Sequence, residues 1–146
     1  MMGQTVANNI CGNKTKYNPG IWFNSAKFFD IEYQTYGVIL PKPPEGQLSF
    51  EWENKSQRVR VRINFEKESG KFVGINLFGI RGRHHIYEKW LSEGKNIKYV
   101  VENLKLANFD PEFFKSYEAD IIQAFNQKHN TNFTLKAKKG IFRRSV

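Results

Sequence analysis

Between residues 28 and 80 apolar and polar residues alternate with a period of two, which is the pattern of strands with one buried face. Four strands are predicted, over 28–35, 48–53, 58–65 and 72–80. Short turns at Asn54-Lys55-Ser56 and Ser69-Gly70 join neighbouring strands, so an antiparallel meander is expected. The residues predicted to face inward on the first three strands are Phe29, Ile31, Tyr33 and Thr35, then Leu48, Phe50 and Trp52, then Val59, Val61, Ile63 and Phe65.

After Gly82 the apolar spacing becomes helical. One helix is predicted over 84–93, ending at Gly94, and a second carries Ile97, Val100, Val101 and Leu104 on one face. A third is predicted to open at Asp110-Pro111-Glu112, where an N-cap, a proline at N1 and a first-turn acid coincide. Its apolar face would be Phe114, Tyr117, Ile121 and Phe125. A short helix over 4–11 would end at Gly12. The predicted fold class is α+β, with about four or five antiparallel strands followed by two or three helices on one face.

The length of 146 residues fits one domain, and the 13 Phe, 6 Tyr and 3 Trp provide for a hydrophobic core. Cys11 is the single cysteine, so no internal disulfide can form and an intracellular, cytoplasmic protein is expected. No apolar run approaches the ~20 residues of a membrane span. The first twelve residues lack the basic and apolar regions of a secretory signal.

The net charge of +9 is unevenly distributed. Asp120 is the last acidic residue, and six basic residues follow it, which leaves only +3 on residues 1–120. A basic tail over 131–146, with Phe133, Ile141 and Phe142 among its lysines and arginines, is one reason to consider a binding module for nucleic acid or an anionic surface.

A row of arginines, Arg58, Arg60 and Arg62, lies on the predicted outer face of the sheet. Two interpretations are open. The row can pair with acidic residues of neighbouring strands, or it can dock an acidic partner. The acidic residues expected on the same face are Asp30, Glu32, Glu51 and Glu53.

Catalytic and nucleotide-binding motifs are missing, including the dinucleotide fingerprint, the P-loop, C-x-x-C and the nucleophile elbow. His84 and His85 are adjacent at a helix start and point in different directions, so a structural or capping role is favoured over a metal site. His129 is expected to be solvated, and Cys11 to be a buried or incidental thiol rather than a nucleophile. A stand-alone enzyme is the least favoured hypothesis.

Residues 17–36, YNPGIWFNSAKFFDIEYQTY, carry a family resemblance. Trp22, Phe23 and Ser25 match three positions of an aromatic W-F-W-S motif, and the strand after it ends at Gly37. Upstream, Gln4, Ala7, Asn9, Ile10 and Gly12 match the end of a helix of the form Q-G-x-x-x-A-x-N-I-x-G. Downstream, the segment Gly70 to Ile75 matches a G-x-x-x-G segment. Residues 4–105 thus resemble the C-terminal domain of FAD-dependent NAD(P)H reductases of the ferredoxin- and rubredoxin-reductase type, in the pyridine nucleotide-disulfide oxidoreductase superfamily.

The resemblance implies a division into residues 1–13, the remnant of a flavin-domain helix, residues 14–130, the α+β domain, and the tail. It also implies a parent protein that binds FAD and NAD(P)H through other domains, while this chain binds neither alone. The implied role is non-catalytic: closing over the flavin domain, forming a homodimer, or docking an acidic redox protein. The flavin-proximal loop would be Trp22, Phe23 and Asn24, where Asn24 takes the place of the family's second tryptophan. Core packing is the alternative role for Trp22 and Phe23.

Overall fold

A computed structural model describes residues 2–109 and 115–137. Five strands and five helices are found in this part of the chain. Their bounds, in chain order, are α1 Met2–Ile10, β1 Phe23–Phe28, β2 Ile31–Gly37, β3 Gln47–Asn54, β4 Val59–Glu66, β5 Phe72–Phe78, α2 His84–Ser92, α3 Ile97–Glu102, α4 Leu104–Ala107 and α5 Glu118–His129. The predicted α+β class is confirmed.

The five strands form one antiparallel sheet in the order β1-β2-β5-β4-β3. Consecutive hairpins join β1 to β2, β3 to β4 and β4 to β5. The connection over 38–46 takes the chain from β2 to the far edge of the sheet, and the Arg62 guanidinium donates to the Pro41 carbonyl in this connection at 3.1 Å. The strands β1 and β3 are therefore the two edges of the sheet.

One face of the sheet, the helix face, packs against the helices, and the other is the open face. The strand alternation predicted for β3 and β4 is correct, because Phe50 and the four apolar residues of β4 are all buried. The side chains of α2 to α5 that complete this core are Tyr87, Trp90, Ile97, Val100, Val101, Leu104, Ala107, Ile121, Ile122 and Phe125. One outward position differs from the expectation, since Asn64 of β4 is fully buried.

The segment predicted as a single first strand is instead the turn and second arm of a hairpin. Phe29 and Asp30 form the turn between β1 and β2, and Phe29 has a positive φ of 55° and is 98% exposed. The predicted facing was also wrong. Tyr36 is buried on the helix face, and Gln34 on the same face accepts a hydrogen bond from the Gly82 backbone N–H at 2.7 Å. Aromatic residues occur on both faces of this hairpin, so periodicity alone could not identify the buried side.

Gly37, where the strand was expected to end, has φ 74°. A Cβ at this position would lie 2.2 Å from the Val73 carbonyl oxygen in the neighbouring strand. Glycine is required here because the backbone is left-handed and because β5 approaches it closely.

The helix predictions are confirmed for α1 and α2 and for the apolar face shared by α3 and α4. The last predicted helix begins later than expected. Its proposed cap, Asp110-Pro111-Glu112, and Phe114 lie outside the described residues, and residues 115–117 are not helical. The helix α5 begins at Glu118, and Ile121 and Phe125 are buried as predicted.

Candidate functional site

The residues implied to lie near a flavin stand at the start of β1, on the sheet edge. The side chains of Trp22 and Phe23 are 54% and 52% exposed, so neither belongs to the buried core. The Trp22 carbonyl accepts a hydrogen bond from the Gly37 N–H at 2.8 Å, which extends the pairing of β1 with β2 by one residue. Two large aromatic side chains are thus positioned by the pairing of β1 with β2, and about half of each remains exposed.

Phe23 points to the helix face. Its ring lies 4.2 Å from the His84 ring, measured between centroids, and 6.4 Å from the ring of Tyr36. His84 Nε2 is 3.6 Å from a Glu88 carboxylate oxygen on the next turn of α2. Burial, and to a smaller extent the charge of Glu32, raise the pKa of Tyr36 to about 12, so this hydroxyl stays protonated at neutral pH. The structural role expected for His84 agrees with these contacts.

Asn24 points to the open face. Its amide Nδ2 donates to the Tyr33 hydroxyl at 2.9 Å. Tyr33 stacks on Phe28 with a centroid distance of 6.0 Å and an interplanar angle of 4°, and it is in register with Phe78 on β5. Because neighbouring strand residues point to opposite faces, Phe23 and Asn24 cannot both touch one face of a planar ligand.

The arginine row is paired with acidic residues across the open face. Arg58 lies 3.3 Å from Asp30, and Arg62 lies 3.4 Å from Glu51. Arg60 donates to Glu51, and this hydrogen bond lowers the pKa of Glu51 and raises that of Arg60. All three arginines therefore have a carboxylate partner, as the first interpretation of the row expects.

Glu32 was expected to belong to the same acidic face, and this expectation is wrong. Glu32 pairs with Arg81 at 3.2 Å, and the Arg81 guanidinium also lies 4.4 Å from the centroid of the Phe109 ring. The register of β1 with β2 puts Glu32 beside Lys27, two residues along from Gln34 and therefore on the helix face.

The helix α1 buries none of its residues. Met2, Val6 and Ile10 recur every four residues, which places them along one side of the helix, and all three are exposed. Isolated helices of this length are marginal in water. The apolar side of α1 is therefore a surface without a covering element in the described part of the chain.

A cavity of about 340 Å³ lies between the sheet and the helices. Its walls are mainly apolar, with Tyr87, Arg81 and Glu118 among the polar exceptions. The Glu118 carboxylate is buried and accepts hydrogen bonds from Asn108 at 2.6 Å and from Ser116. Sequence reasoning missed this arrangement, because its members come from β4, β5 and three helices and share no local motif.

His129 differs from the expectation of a solvated side chain. It is partly buried, and its ring lies 4.5 Å from the Phe125 ring and 5.4 Å from that of Phe65. Burial lowers the pKa of His129, and the charge of Lys128 lowers it further. Cys11 is exposed. In residues 2–109 and 115–137, no group of three or more His, Cys, Asp or Glu side chains is arranged to hold a metal ion.

The first part of the basic tail packs on the domain. Phe133 stacks on Phe125 at 5.7 Å, and Lys136 pairs with Glu102 at 3.0 Å. The remaining basic residues of the tail, from Lys138 onward, lie outside the described residues. No helix in the described ranges combines the length and the apolar content needed to cross a bilayer.

The resemblance at residues 17–36 implies a sheet with helices on one side, and the antiparallel sheet with its helix face has this architecture. Comparison with solved structures finds the same fold in the NAD-dependent persulfide reductase from A. fulgidus, with a TM-score of 0.60 and 19% identity. The match covers 88% of this chain and 27% of that chain, so this chain spans about a quarter of the reductase. The expected fold is thereby confirmed. No protein-family model and no curated protein matches the sequence.

Proposed function

We propose that this chain is the non-catalytic C-terminal domain of an FAD- and NAD(P)H-dependent oxidoreductase, and that it closes over the flavin domain. The fold it shares with one part of an NAD-dependent reductase supports this assignment. The observation that carries it is uncovered apolar surface in the N-terminal part of the chain: the apolar side of α1 is exposed, and Trp22 and Phe23 at the start of β1 are each about half exposed. Exposed apolar surface of this kind commonly marks a contact with another domain or protein.

In this proposal α1 is the last helix of the flavin domain, and its apolar side packs into that domain. Burial of apolar surface contributes ~25 cal/mol per Å² of stability. Packing of α1 against a partner would therefore stabilise a helix that is too short to be stable alone. Trp22 and Phe23, which point to opposite faces of the sheet, would each add an apolar contact with the flavin domain. Asn24, whose amide is bonded to Tyr33, would contribute by hydrogen bonding rather than by stacking.

A finer proposal concerns the electron acceptor. Arg58, Arg60 and Arg62 would meet an acidic redox protein, chiefly raising its rate of association. Their pairing with Asp30 and Glu51 reduces the positive potential of this face, so the acidic partner would have to exchange with these carboxylates. This role is therefore secondary in the proposal to contact with the flavin domain.

The test is to isolate the protein from its native cells with an antibody to this chain, and to measure its mass and any flavin released on denaturation. We expect either a polypeptide much longer than the 17.1 kDa chain or a tight complex with a flavoprotein. FAD should be released in stoichiometric amount, and the bound flavin should be reduced by NADH or NADPH. Recovery of the chain without flavin and without any larger polypeptide would refute the proposal.

A variant pair sharpens this test in the flavin-containing protein. Val6→Asp places a charge on the apolar side of α1, and Asn8→Asp places the same charge on its polar side. We expect Val6→Asp to speed the loss of FAD or to dissociate the complex, and Asn8→Asp to have little effect. Equal behaviour of the two variants would argue against α1 as the contact.

The alternative, a basic module for nucleic acid or an anionic surface, has less support. Lys136 is neutralised by Glu102, Phe133 is packed against the core, and the arginine row is balanced by carboxylates. Stacking platforms and basic grooves for nucleic acid need these groups to be available.

A further inference from the structure

The cavity between the sheet and the helices has the size of a small-molecule site. Its volume of about 340 Å³ falls within the ~300–1,000 Å³ that is usual for ligand pockets. An apolar cavity of about 150 Å³ is large enough to bind benzene. The cavity in this chain therefore has room for a ligand of about two fused aromatic rings.

The inner walls of the cavity are apolar and come from both layers of the fold. Ile75 and Leu77 of β5 line it on the sheet side, and Leu104 and Ala107 of α4 line it on the helix side. Each of these four residues is no more than 5% exposed. A charged group placed among them would lose its hydration without gaining a partner. The part of a ligand that lies deepest must therefore be apolar.

One polar group of the cavity wall is an acceptor, the Glu118 carboxylate, which is 7% exposed. It accepts hydrogen bonds from two neutral donors, the Asn108 amide at 2.6 Å and the Ser116 hydroxyl. An ionised carboxylate offers about four acceptor positions. Glu118 can therefore accept a further hydrogen bond from a molecule in the cavity.

The other polar group is a donor, the Tyr87 hydroxyl. Tyr87 lines the same cavity and is 4% exposed, and its hydroxyl makes no hydrogen bond within the described residues. Burial raises the pKa of Tyr87, and the charges of Tyr36 and Glu118 raise it further, so the hydroxyl stays protonated and lies near Glu118. A buried donor without an acceptor costs free energy, which a ligand with an acceptor would recover.

We propose that this cavity binds a small neutral aromatic molecule with one hydroxyl group, of the phenol or naphthol class. The ligand hydroxyl donates to the Glu118 carboxylate, and its oxygen accepts from the Tyr87 hydroxyl. The rings lie among the apolar walls and against the aromatic side chains of Tyr87 and Tyr117. A hydroxyl group suits this site because it donates and accepts at once, whereas a carboxylate cannot donate and an ammonium group cannot accept.

The charges around the cavity also favour a neutral ligand. Its exposed polar rim includes Gln57, Arg81 and Lys115, and the Lys115 ammonium donates to the Gln57 side chain at 2.6 Å. The two cations on the rim oppose the entry of a cationic ligand. The Glu118 carboxylate inside opposes an anionic head group.

The inference goes beyond the proposed function and does not depend on it, because every residue of the site belongs to this chain. Absence of flavin from the native protein would leave the cavity site standing. Absence of ligand binding in the cavity would likewise leave the contact of α1 with a flavin domain standing.

Calorimetric titration of the full chain tests the ligand class. The probe is 2-naphthol, compared with 2-naphthoate, 2-naphthylmethylamine and 2-methoxynaphthalene, which share its rings and differ in the head group. We expect saturable one-to-one binding of 2-naphthol, about tenfold or more tighter than that of the other three, because each lacks one of the two hydrogen bonds. No saturable binding of 2-naphthol, or binding of the anion or the amine with equal affinity, would overturn the proposal.

Nuclear magnetic resonance of the methyl groups tests the location. We expect 2-naphthol to shift the methyl signals of Leu104, Ala107 and Ile121, which line the cavity. The methyl signals of Val6 and Ile10, on the exposed apolar side of α1, should not move. Shifts confined to α1 would show binding to exposed apolar surface and would contradict the cavity site.

Two variants test the two hydrogen bonds separately. Glu118→Gln removes the charge of the acceptor, so it should weaken 2-naphthol about fivefold or more and leave 2-methoxynaphthalene, which has no hydroxyl hydrogen to donate, nearly unchanged. Tyr87→Phe removes only the hydroxyl and should weaken both ligands. Because a ligand-specific loss cannot come from a general loss of structure, the pattern separates binding from folding.

Matched controls lie outside the cavity. Glu66→Gln alters a carboxylate that, like Glu118, accepts from a nearby serine hydroxyl, and Tyr33→Phe removes a hydroxyl on the open face. Both controls should bind 2-naphthol as the wild type does, and urea unfolding shows which variants are folded. Unchanged 2-naphthol affinity in folded Tyr87→Phe, or equal loss in the controls, would overturn the assignment of these two groups.

Discussion

At the scale of single residues, His129 shows that the surroundings of a side chain in the fold can differ from those expected from its position in the sequence. It occupies the last turn of α5, where a charged histidine would favour the helix C-terminus. Its ring instead packs among Phe50, Phe65 and Phe125, so burial disfavours the protonated form. The folded state therefore favours the neutral form of the His129 ring.

This environment predicts a pH dependence of stability. The unfolded value for histidine is about 6.5, and the folded pKa is lower. The unfolded chain therefore binds the proton more readily, and the free energy of unfolding should fall as the pH drops below about 6.5, levelling off below the folded pKa. Each unit of pKa lowering corresponds to about 1.4 kcal/mol.

The measurement is urea unfolding over this pH range for the wild type and His129→Leu. The variant should lose less stability on acidification than the wild type. His85→Leu is the control for removing an exposed histidine. An identical pH profile for wild type and His129→Leu would contradict the burial argument.

At the scale of elements, α1 and α5 are both helices but are supported differently. The helix α5 buries Ile121, Ile122 and Phe125 against the sheet, whereas α1 buries nothing. Helix formation by α1 is indicated by the sequence, yet its stability must come from packing that the described residues do not provide. The contrast predicts different consequences of removing parts of the two helices.

Deleting residues 2–10 should change the free energy of unfolding of the isolated chain by no more than about 0.5 kcal/mol, because no buried contact is lost. Phe125→Ala should cost about 3–5 kcal/mol, since this ring is buried between the helices and β3. Chemical denaturation of both variants provides the comparison. A large loss on deleting α1 would mean that the helix packs on this domain after all.

At the scale of the whole molecule, the net charge of +9 suggests more affinity for anions than the arrangement of charges provides. On the open face the arginines pair with carboxylates, and Lys136 at the start of the tail pairs with Glu102. Charges paired in this way contribute little long-range field, because partner and cation largely cancel.

We therefore expect single-stranded RNA to bind no more tightly than non-specific complexes do, with a Kd of ~10⁻⁴–10⁻⁶ M at physiological salt. The measurement is a titration at several salt concentrations with the full chain and with a chain lacking residues 136–146. Tight binding that weakens steeply with salt and disappears on deletion of 136–146 would instead favour the basic-module hypothesis.

The sequence by itself determined the fold class, the buried apolar positions of β3 and β4, the helices α1 and α2 and the buried face shared by α3 and α4. Periodicity is a local property, and in these elements one face is clearly more apolar than the other. The resemblance at residues 17–36 indicated the fold that the structural comparison then found. The local pattern was sufficient to predict burial in those elements whose more apolar face is also the buried one.

Only the tertiary structure decided the rest. It placed the turn at Phe29 and Asp30, chose the buried face of β2, separated Phe23 from Asn24, and put His129 among aromatic rings. It also selected the partners of the arginines, such as Asp30 for Arg58, 28 residues apart in the chain. The physical reason is that these outcomes depend on the strand order β1-β2-β5-β4-β3 and on helices packed from distant segments, which no local alternation encodes.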